Sequence, residues 1–286
     1  MKIPSNKVKA VAQFFRDELK EIYAAEEIEN FIFFSFYEYL GYSRTDIKVK
    51  AEETMSESDL LKFNFCVKDL KNYKPIQYII GSTKFCGCKI KVNEHVLIPR
   101  PETEELVELI KSQIKKNQTI LDIGTGSGCI AIALKKYFPE AEVFAMDVSE
   151  KALEVAGENS NHNNIKINFI HHDIFSDLPN SQSINFNVIV SNPPYVRMSE
   201  KENISKNVLD FEPHLALFVN DDDALKFYKA ICVFAQKHLL PNGKLFFEIN
   251  EALAGNVEEL LFEKGFKNVQ LRKDMQGKSR MLSGEI

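Results

Sequence analysis

The stretch from Thr119 to Asp147 leaves few folds open. An apolar β-type run, Thr119-Ile120-Leu121-Asp122-Ile123, enters the glycine-rich turn Gly124-Thr125-Gly126-Ser127-Gly128. The pattern then turns helical from Cys129 to about Phe138-Pro139, and a second apolar run, Glu142–Asp147, follows, with Ser149 placed to cap the next helix. Further strand-like segments come at Ile165–Ile170, Phe186–Ser191 and Lys244–Ile249. Alternation of this kind predicts an α/β architecture, a doubly wound and mostly parallel sheet with helices on both faces. Ligands of such a sheet sit beyond the carboxyl ends of the strands.

The run Val188-Ile189-Val190-Ser191 ends abruptly in Asn192-Pro193-Pro194-Tyr195. The first proline forces Asn192 out of helical geometry and holds it extended. Alone, such a turn need do no more than end a strand. Its atoms nevertheless suit a planar –NH2 group. The Pro193 carbonyl and the Asn192 side-chain oxygen are two nearby acceptors, and Tyr195 offers an aromatic face for stacking.

The remainder of the chain narrows the possibilities. Its 286 residues are 44% hydrophobic and 27% charged, with a net charge of −5, as expected of an ordinary globular protein. A pI near 5.8 argues against a general nucleic-acid binder. The first residues, Met1-Lys2-Ile3-Pro4-Ser5-Asn6, carry no apolar core of a signal peptide, and no run is apolar enough to span a membrane, so a cytoplasmic location is expected. Cys66, Cys86, Cys88, Cys129 and Cys232 are too irregularly spaced for a disulfide framework or a zinc knuckle, and His171-His172 lacks further ligands; no metal site is expected.

Apolar residues recur at helical spacing from about Val8 to Tyr73, through Val11, Phe14, Phe15 and Leu19 and then Ile28, Phe31, Ile32 and Phe36, with a break at Gly41. Residues 1–75 hold 12 Lys and Arg against 13 Asp and Glu, a local charge of −1 that offers no clamp for DNA. The expected organisation is a helical domain over 1–74, a connector and hairpin over 75–95, and the α/β domain over 96–286. Near the last boundary Arg100 stands between two prolines, and Thr103 or the residues just before it can cap a helix running to about Ile114.

A glycine-rich strand-to-helix turn followed by an acid ending the next strand binds an adenosine-type ligand; Asp147 is that acid, 19 residues past Gly128. Counting from Gly124, the sixth residue is Cys129 where a dinucleotide fingerprint needs glycine, which disfavours a pyrophosphate ligand.

Gly-x-Gly-x-Gly, an acid after strand two and Asn-Pro-Pro-Tyr after strand four together resemble S-adenosylmethionine-dependent methyltransferases that modify –NH2 groups. The likeness extends to Pro75–Gly81, Leu97-Ile98-Pro99-Arg100-Pro101-Glu102-Thr103-Glu104, Asp122–Cys129, Ser191–Tyr195 and Phe211-Glu212-Pro213 with Leu215-Ala216-Leu217, and later to Phe247-Glu248-Ile249 and Arg272-Lys273-Asp274 before Gly277-Lys278-Ser279-Arg280. Over residues 75–286 the chain resembles the HemK-type release-factor glutamine methyltransferases. It departs from them after Ile249, where Asn250 and Glu251-Ala252 replace an expected glycine and glutamine.

The resemblance implies a Rossmann-like class I methyltransferase domain with a seven-stranded sheet and a small N-terminal helical domain that recognises the partner. It implies methyl transfer from S-adenosylmethionine, with S-adenosylhomocysteine as product, to the side-chain nitrogen of the glutamine in the Gly-Gly-Gln motif of class-one peptide chain release factors, in support of translation termination. Gly124, Thr125, Gly126, Ser127, Gly128, Asp147, Asp173, Ile174 and Asn192 would hold the cofactor, with Asp122 near its methionine end. Asn192, Pro193 and Tyr195 would serve catalysis, and Pro194 and Arg100 would help hold the substrate. No membrane and no stable nucleic-acid binding are expected. Two rivals stand: an exocyclic-amine methyltransferase acting on nucleic acid, which would need a basic surface, and an idle binding module, which would need failure to bind the cofactor.

Overall fold

The computed structural model describes residues 3–177 and 184–286. It divides into two compact units, one comprising Met1–Gly81 with Ser205–Phe211 and the other Ser82–Ile204 with Glu212–Ile286.

The first unit is helical. Helices Val8–Leu19, Ala25–Leu40, Arg44–Val49 and Glu57–Lys71 turn their apolar stripes onto one core. Phe63 lies at its centre, its ring 4.6 Å from that of Phe36 and 6.2 Å from that of Phe15. Gly41 stops the second helix in the left-handed conformation at φ +71°, where a side chain would be strained. Ser43 and Asp46 then form a capping box that starts the third helix.

The expected connector and hairpin over 75–95 divide between the two units. Residues Ile76–Ile80 form a short helix whose Ile76 is buried in the helical core, with Ile79 and Ile80 packed against it. The hairpin belongs instead to the second unit. Its strands β1 (Ser82–Phe85) and β2 (Cys88–Lys91) are held through Lys91, whose N–H and carbonyl both bond the side chain of Asn159. The cut therefore falls after Gly81 rather than at 74. The segment Ser205–Phe211 clusters with the helices, and Lys206 Nζ sits 4.6 Å from the centre of the Tyr73 ring.

The second unit is built on a seven-stranded sheet. In chain order its strands and their short companions are β3 (Thr119–Ile123), β4 (Glu142–Asp147), β5 (Asn168–His171), β6 (Phe186–Ser191), β7 (Val196–Arg197), β8 (Phe218–Val219), β9 (Leu239–Glu248), β10 (Lys267–Lys273) and β11 (Ser279–Glu285). The sheet order is β10-β11-β9-β6-β3-β4-β5, and β7 pairs separately with β8. All pairings within it are parallel except those of β11, which runs against both neighbours. From β3 the chain winds outward through β4 and β5 and then returns to β6 on the other side of β3. The crevice between β3 and β6 is thus the topological switch point, where an open α/β sheet binds its ligands.

Two strand boundaries move from their expected positions. β5 begins at Asn168, because the Ile165 N–H bonds the Ser160 carbonyl and the Ser160 hydroxyl bonds the Ile165 carbonyl, holding Ile165 in a turn. β9 begins at Leu239 and passes through Pro241-Asn242-Gly243 before rejoining the sheet at Lys244. No helix among the described residues is long and apolar enough to cross a membrane.

Candidate active site

The ends of β3, β4 and β6 open onto a cleft of about 410 Å³, within the range of a small-molecule site. Every residue lining it belongs to the second unit. Its floor is the turn after β3. Gly124 and Thr125 donate their N–H groups to the Met146 carbonyl at 2.8 and 3.0 Å, which joins the turn to β4. The Gly126 N–H donates to Asp147 Oδ2 at 2.8 Å, and the Ser149 N–H to Asp147 Oδ1 at 2.9 Å. Ser149 caps the following helix as expected, accepting from the Ala152 N–H.

The glycines of this turn divide by role. Gly124 and Gly126 have positive φ, and a Cβ on either would enter open space, so the backbone is bare toward the cleft. Gly128, expected among the cofactor residues, lines none of the cleft. A Cβ there would meet the Ala156 Cβ at 3.0 Å, so its bareness lets the helices Cys129–Tyr137 and Glu150–His162 approach. Gly128→Ala is expected to lower stability by about 1–2 kcal/mol from the left-handed backbone alone, with the Ala156 contact adding to that. Gly126→Ala should cost only the backbone part; chemical denaturation of the two variants makes the comparison.

Asp122 also falls outside the cleft. It is fully buried beneath the turn, where Oδ2 accepts from the Thr125 hydroxyl at 2.6 Å and Oδ1 has no partner among the described residues. Burial pushes its carboxyl up to about 7, the Thr125 bond working against this. It braces the turn from below.

Asp147 is drawn upward in pKa by burial and held down by the backbone N–H groups of Ser149 and Gly126. Asp173 stands on the rim, its Oδ1 accepting from the Phe175 N–H at 3.0 Å. Ile174, Phe175 and Phe227 form an apolar wall beside it, the two rings 5.2 Å apart. His172 lines the cleft, but no three His, Cys, Asp or Glu side chains come together as a metal site among the described residues.

Asn192, Pro193 and Pro194 line the cleft at the end of β6, and Arg100 lines it too. A smaller recess of about 50 Å³ opens here, with Asn192, Pro193, Tyr195, Arg100 and Leu97 in its walls. Tyr195 reaches only this recess, not the larger cleft. Among the described residues no hydrogen bond occupies Asn192 Oδ1 or the Pro193 carbonyl. Arg100 is fixed by a 2.5 Å bond to Glu212, which is almost wholly buried and also accepts from the Ile98 N–H.

Thr103 caps nothing. The helix begins at Pro101 with Arg100 at its N-cap, and the Thr103 hydroxyl, inside the first turn, donates to Glu248 at 2.7 Å. Tyr195 donates to the other oxygen of Glu248 at 3.0 Å, and Asn192 Nδ2 lies 3.3 Å from Thr103 Oγ1. Asn250, at the departure from the expected pattern, ties the turn down by donating to the Tyr195 carbonyl at 3.1 Å and to Glu200 at 3.0 Å. Sequence reasoning passed over Thr103, Glu248 and Asn250 as site residues. The available signal was an acid ending the apolar run Leu245-Phe246-Phe247, since a buried carboxylate needs partners.

Residues 101–212 match the family model "Methyltransferase small domain" and residues 12–81 match "PrmC N-terminal domain". The chain is 48% identical to a release factor glutamine methyltransferase of Flavobacterium psychrophilum over 94% of its own length and 95% of that protein's. It is 40% identical to another of that name from Bacteroides thetaiotaomicron, covering 96% and 98%. Among solved structures, a methyltransferase from Pyrococcus furiosus shares the fold at a TM-score of 0.52 with 22% identity, over 70% of this chain and 89% of that one.

Proposed function

The chain belongs to the release factor glutamine methyltransferases, and from that premise we propose that Asn192 and the Pro193 carbonyl bind the two hydrogens of the target glutamine amide in the recess beside Tyr195. The activity is S-adenosylmethionine-dependent methylation of a protein glutamine at its side-chain nitrogen.

The cleft fits the cofactor. Gly124 to Ser127 offer bare backbone, Asp147 has lone pairs beyond the two its N–H partners use, and the wall at Ile174 and Phe175 suits a flat base beside Asp173. These residues would hold S-adenosylmethionine, which supplies an electrophilic methyl group on its sulfonium. The chain's own contribution is geometric and electrostatic. Amide resonance ties up the nitrogen lone pair, so the group must be oriented and the positive charge growing on it stabilised. Two oxygen acceptors on the hydrogens of one nitrogen do both. No strong base is required, because the methylated, protonated amide is acidic enough to lose its proton to an acceptor or to water.

The observation that carries this reading is the pair of unoccupied acceptors in a recess of about 50 Å³. A water needs roughly 10–15 Å³ of such space, so the recess has room for the few heavy atoms of a primary amide. Residues 1–75 are also slightly acidic, which disfavours tRNA or DNA as the substrate. The helical unit is assigned to recognition of class-one release factors, and a cytoplasmic setting follows from that partner.

Transfer of label from S-adenosylmethionine to a purified class-one release factor tests the proposal against a Gly-Gly-Gln→Gly-Gly-Ala factor, tRNA and duplex DNA. Label on the intact factor alone is expected. Label on nucleic acid would overturn the substrate assignment and leave the fold standing.

A further inference from the structure

Glu248 is 1% exposed and Thr103 3% exposed, yet the family reading gives neither a task. A carboxylate only accepts hydrogen bonds. With Glu248 ionised, the Thr103 and Tyr195 hydroxyls, 2.7 and 3.0 Å from its two oxygens, must both donate to it. A threonine hydroxyl has one proton, so toward Asn192, 3.3 Å away, Thr103 Oγ1 can only accept. The Asn192 group facing Thr103 must then be the –NH2, and its oxygen is left free as an acceptor. Reversing the amide would set oxygen against oxygen.

We propose that Glu248 and Thr103 are positioning residues that fix the polarity of the Asn192 amide and hold the Tyr195 ring, so that an acceptor meets the substrate. This rests on the reading that Asn192 Oδ1 binds the target amide. The rest of the setting points the same way. Tyr228 donates to the Glu248 backbone carbonyl at 3.3 Å, which anchors the residue from the core side. Burial raises the Glu248 carboxyl above the usual range and Glu102 adds to this, while the Thr103 and Tyr195 hydroxyls and Arg280 oppose it. A protonated Glu248 can donate to Thr103, which frees the threonine proton and removes the constraint on Asn192. Turnover should therefore be present above the Glu248 pKa and fall as the pH drops through it.

The test uses the full chain with Thr103→Val, Thr103→Ser and Glu248→Gln. Thr103→Val keeps the volume and removes the hydroxyl; it is expected to lower kcat by ~10–100-fold, the scale of a lost bond to a charged group. S-Adenosylhomocysteine affinity by calorimetry should stay near the wild type, the melting temperature should fall because the buried Glu248 Oε2 loses its donor, and Thr103→Ser should restore turnover and melting temperature together. Glu248→Gln cannot lose a proton, so it should lower kcat and erase the acidic limb of its pH profile. Wild-type kcat in both Thr103→Val and Glu248→Gln would overturn the inference, as would parallel loss of S-adenosylhomocysteine binding or a Thr103→Ser variant as slow as Thr103→Val. Absence of transfer by the wild type would instead overturn the substrate reading.

Discussion

Replacement of Asn192 by alanine is expected to lower kcat by ~10²–10³-fold, the scale seen when one preorganised hydrogen-bonding group is removed from a transition-state site. Affinity for S-adenosylhomocysteine should change little, because the cleft is held mainly by the turn after β3 and by Asp147. The reason lies in the backbone as much as in the side chain. Ser191 ends β6 with its hydroxyl bonded to the Ile123 carbonyl at 2.7 Å, and two prolines follow Asn192, so this segment has little freedom to re-aim another acceptor. The Pro193 carbonyl remains in the variant and retains one of the two contacts, which sets a floor under the loss.

Asn192→Asp separates orientation from acceptance. The carboxylate keeps the shape and still accepts, but it cannot donate to Thr103 Oγ1, whose proton is committed to Glu248. Repulsion should swing it out of place, and turnover should fall almost as far as in Asn192→Ala. Single-turnover transfer to a release factor, with S-adenosylhomocysteine binding measured alongside, checks both variants. Full activity in Asn192→Asp would mean that acceptance alone matters at this position.

The parallel half of the sheet was legible because its strands are buried on both faces. Ile120, Leu121, Val188, Ile189 and Val190 are all but inaccessible, and such strands read as continuous apolar runs. The glycine turn and the Asn-Pro-Pro-Tyr turn were legible for a related reason, since positive φ and proline both leave marks in sequence. The antiparallel end was not. β10 is an edge strand, Lys-Asn-Val-Gln-Leu-Arg-Lys, in which only Val269 and Leu271 pack against the core, so the apolar signal shrinks to two residues. In β11 the buried Ser283 stands within Ser-Arg-Met-Leu-Ser-Gly-Glu and hides a strand whose centre is covered.

The candidate site was legible residue by residue but not in its connections. Asn192, Tyr195, Asp147 and Arg100 all reach the cleft or the recess, as their motifs suggested. Thr103 carries the same signal for a helix cap as for the bond it makes, because a threonine before an apolar helix is common in either role. Only the distance to Glu248, 145 residues away in sequence, decides between them. Gly128 carries an equally double signal. A glycine at a helix start reads as an approach for ligand, and here it also serves the approach of Ala156.

Asp147→Ala is expected to weaken S-adenosylhomocysteine binding by ~10–100-fold, since hydrogen bonds to a charged group contribute about 1.5–3 kcal/mol. Two losses combine in it. The ribose hydroxyls would lose their acceptor, and the Gly126 and Ser149 N–H groups would lose the carboxylate that spans from the turn to the start of the next helix. Asp147→Asn distinguishes them, because its single oxygen can hold only one side of that span. It should bind more tightly than Asp147→Ala but remain below the wild type. Calorimetric titration gives these affinities without any methyl acceptor present. Turnover of Asp147→Ala at saturating S-adenosylmethionine should recover far more than that of Asn192→Ala, because Asp147 would act at the ribose end of the cleft and Asn192 at the reacting nitrogen. Equal residual turnover in the two variants would mean that the turn after β3 also positions the recess, and that the site works as one unit rather than as two.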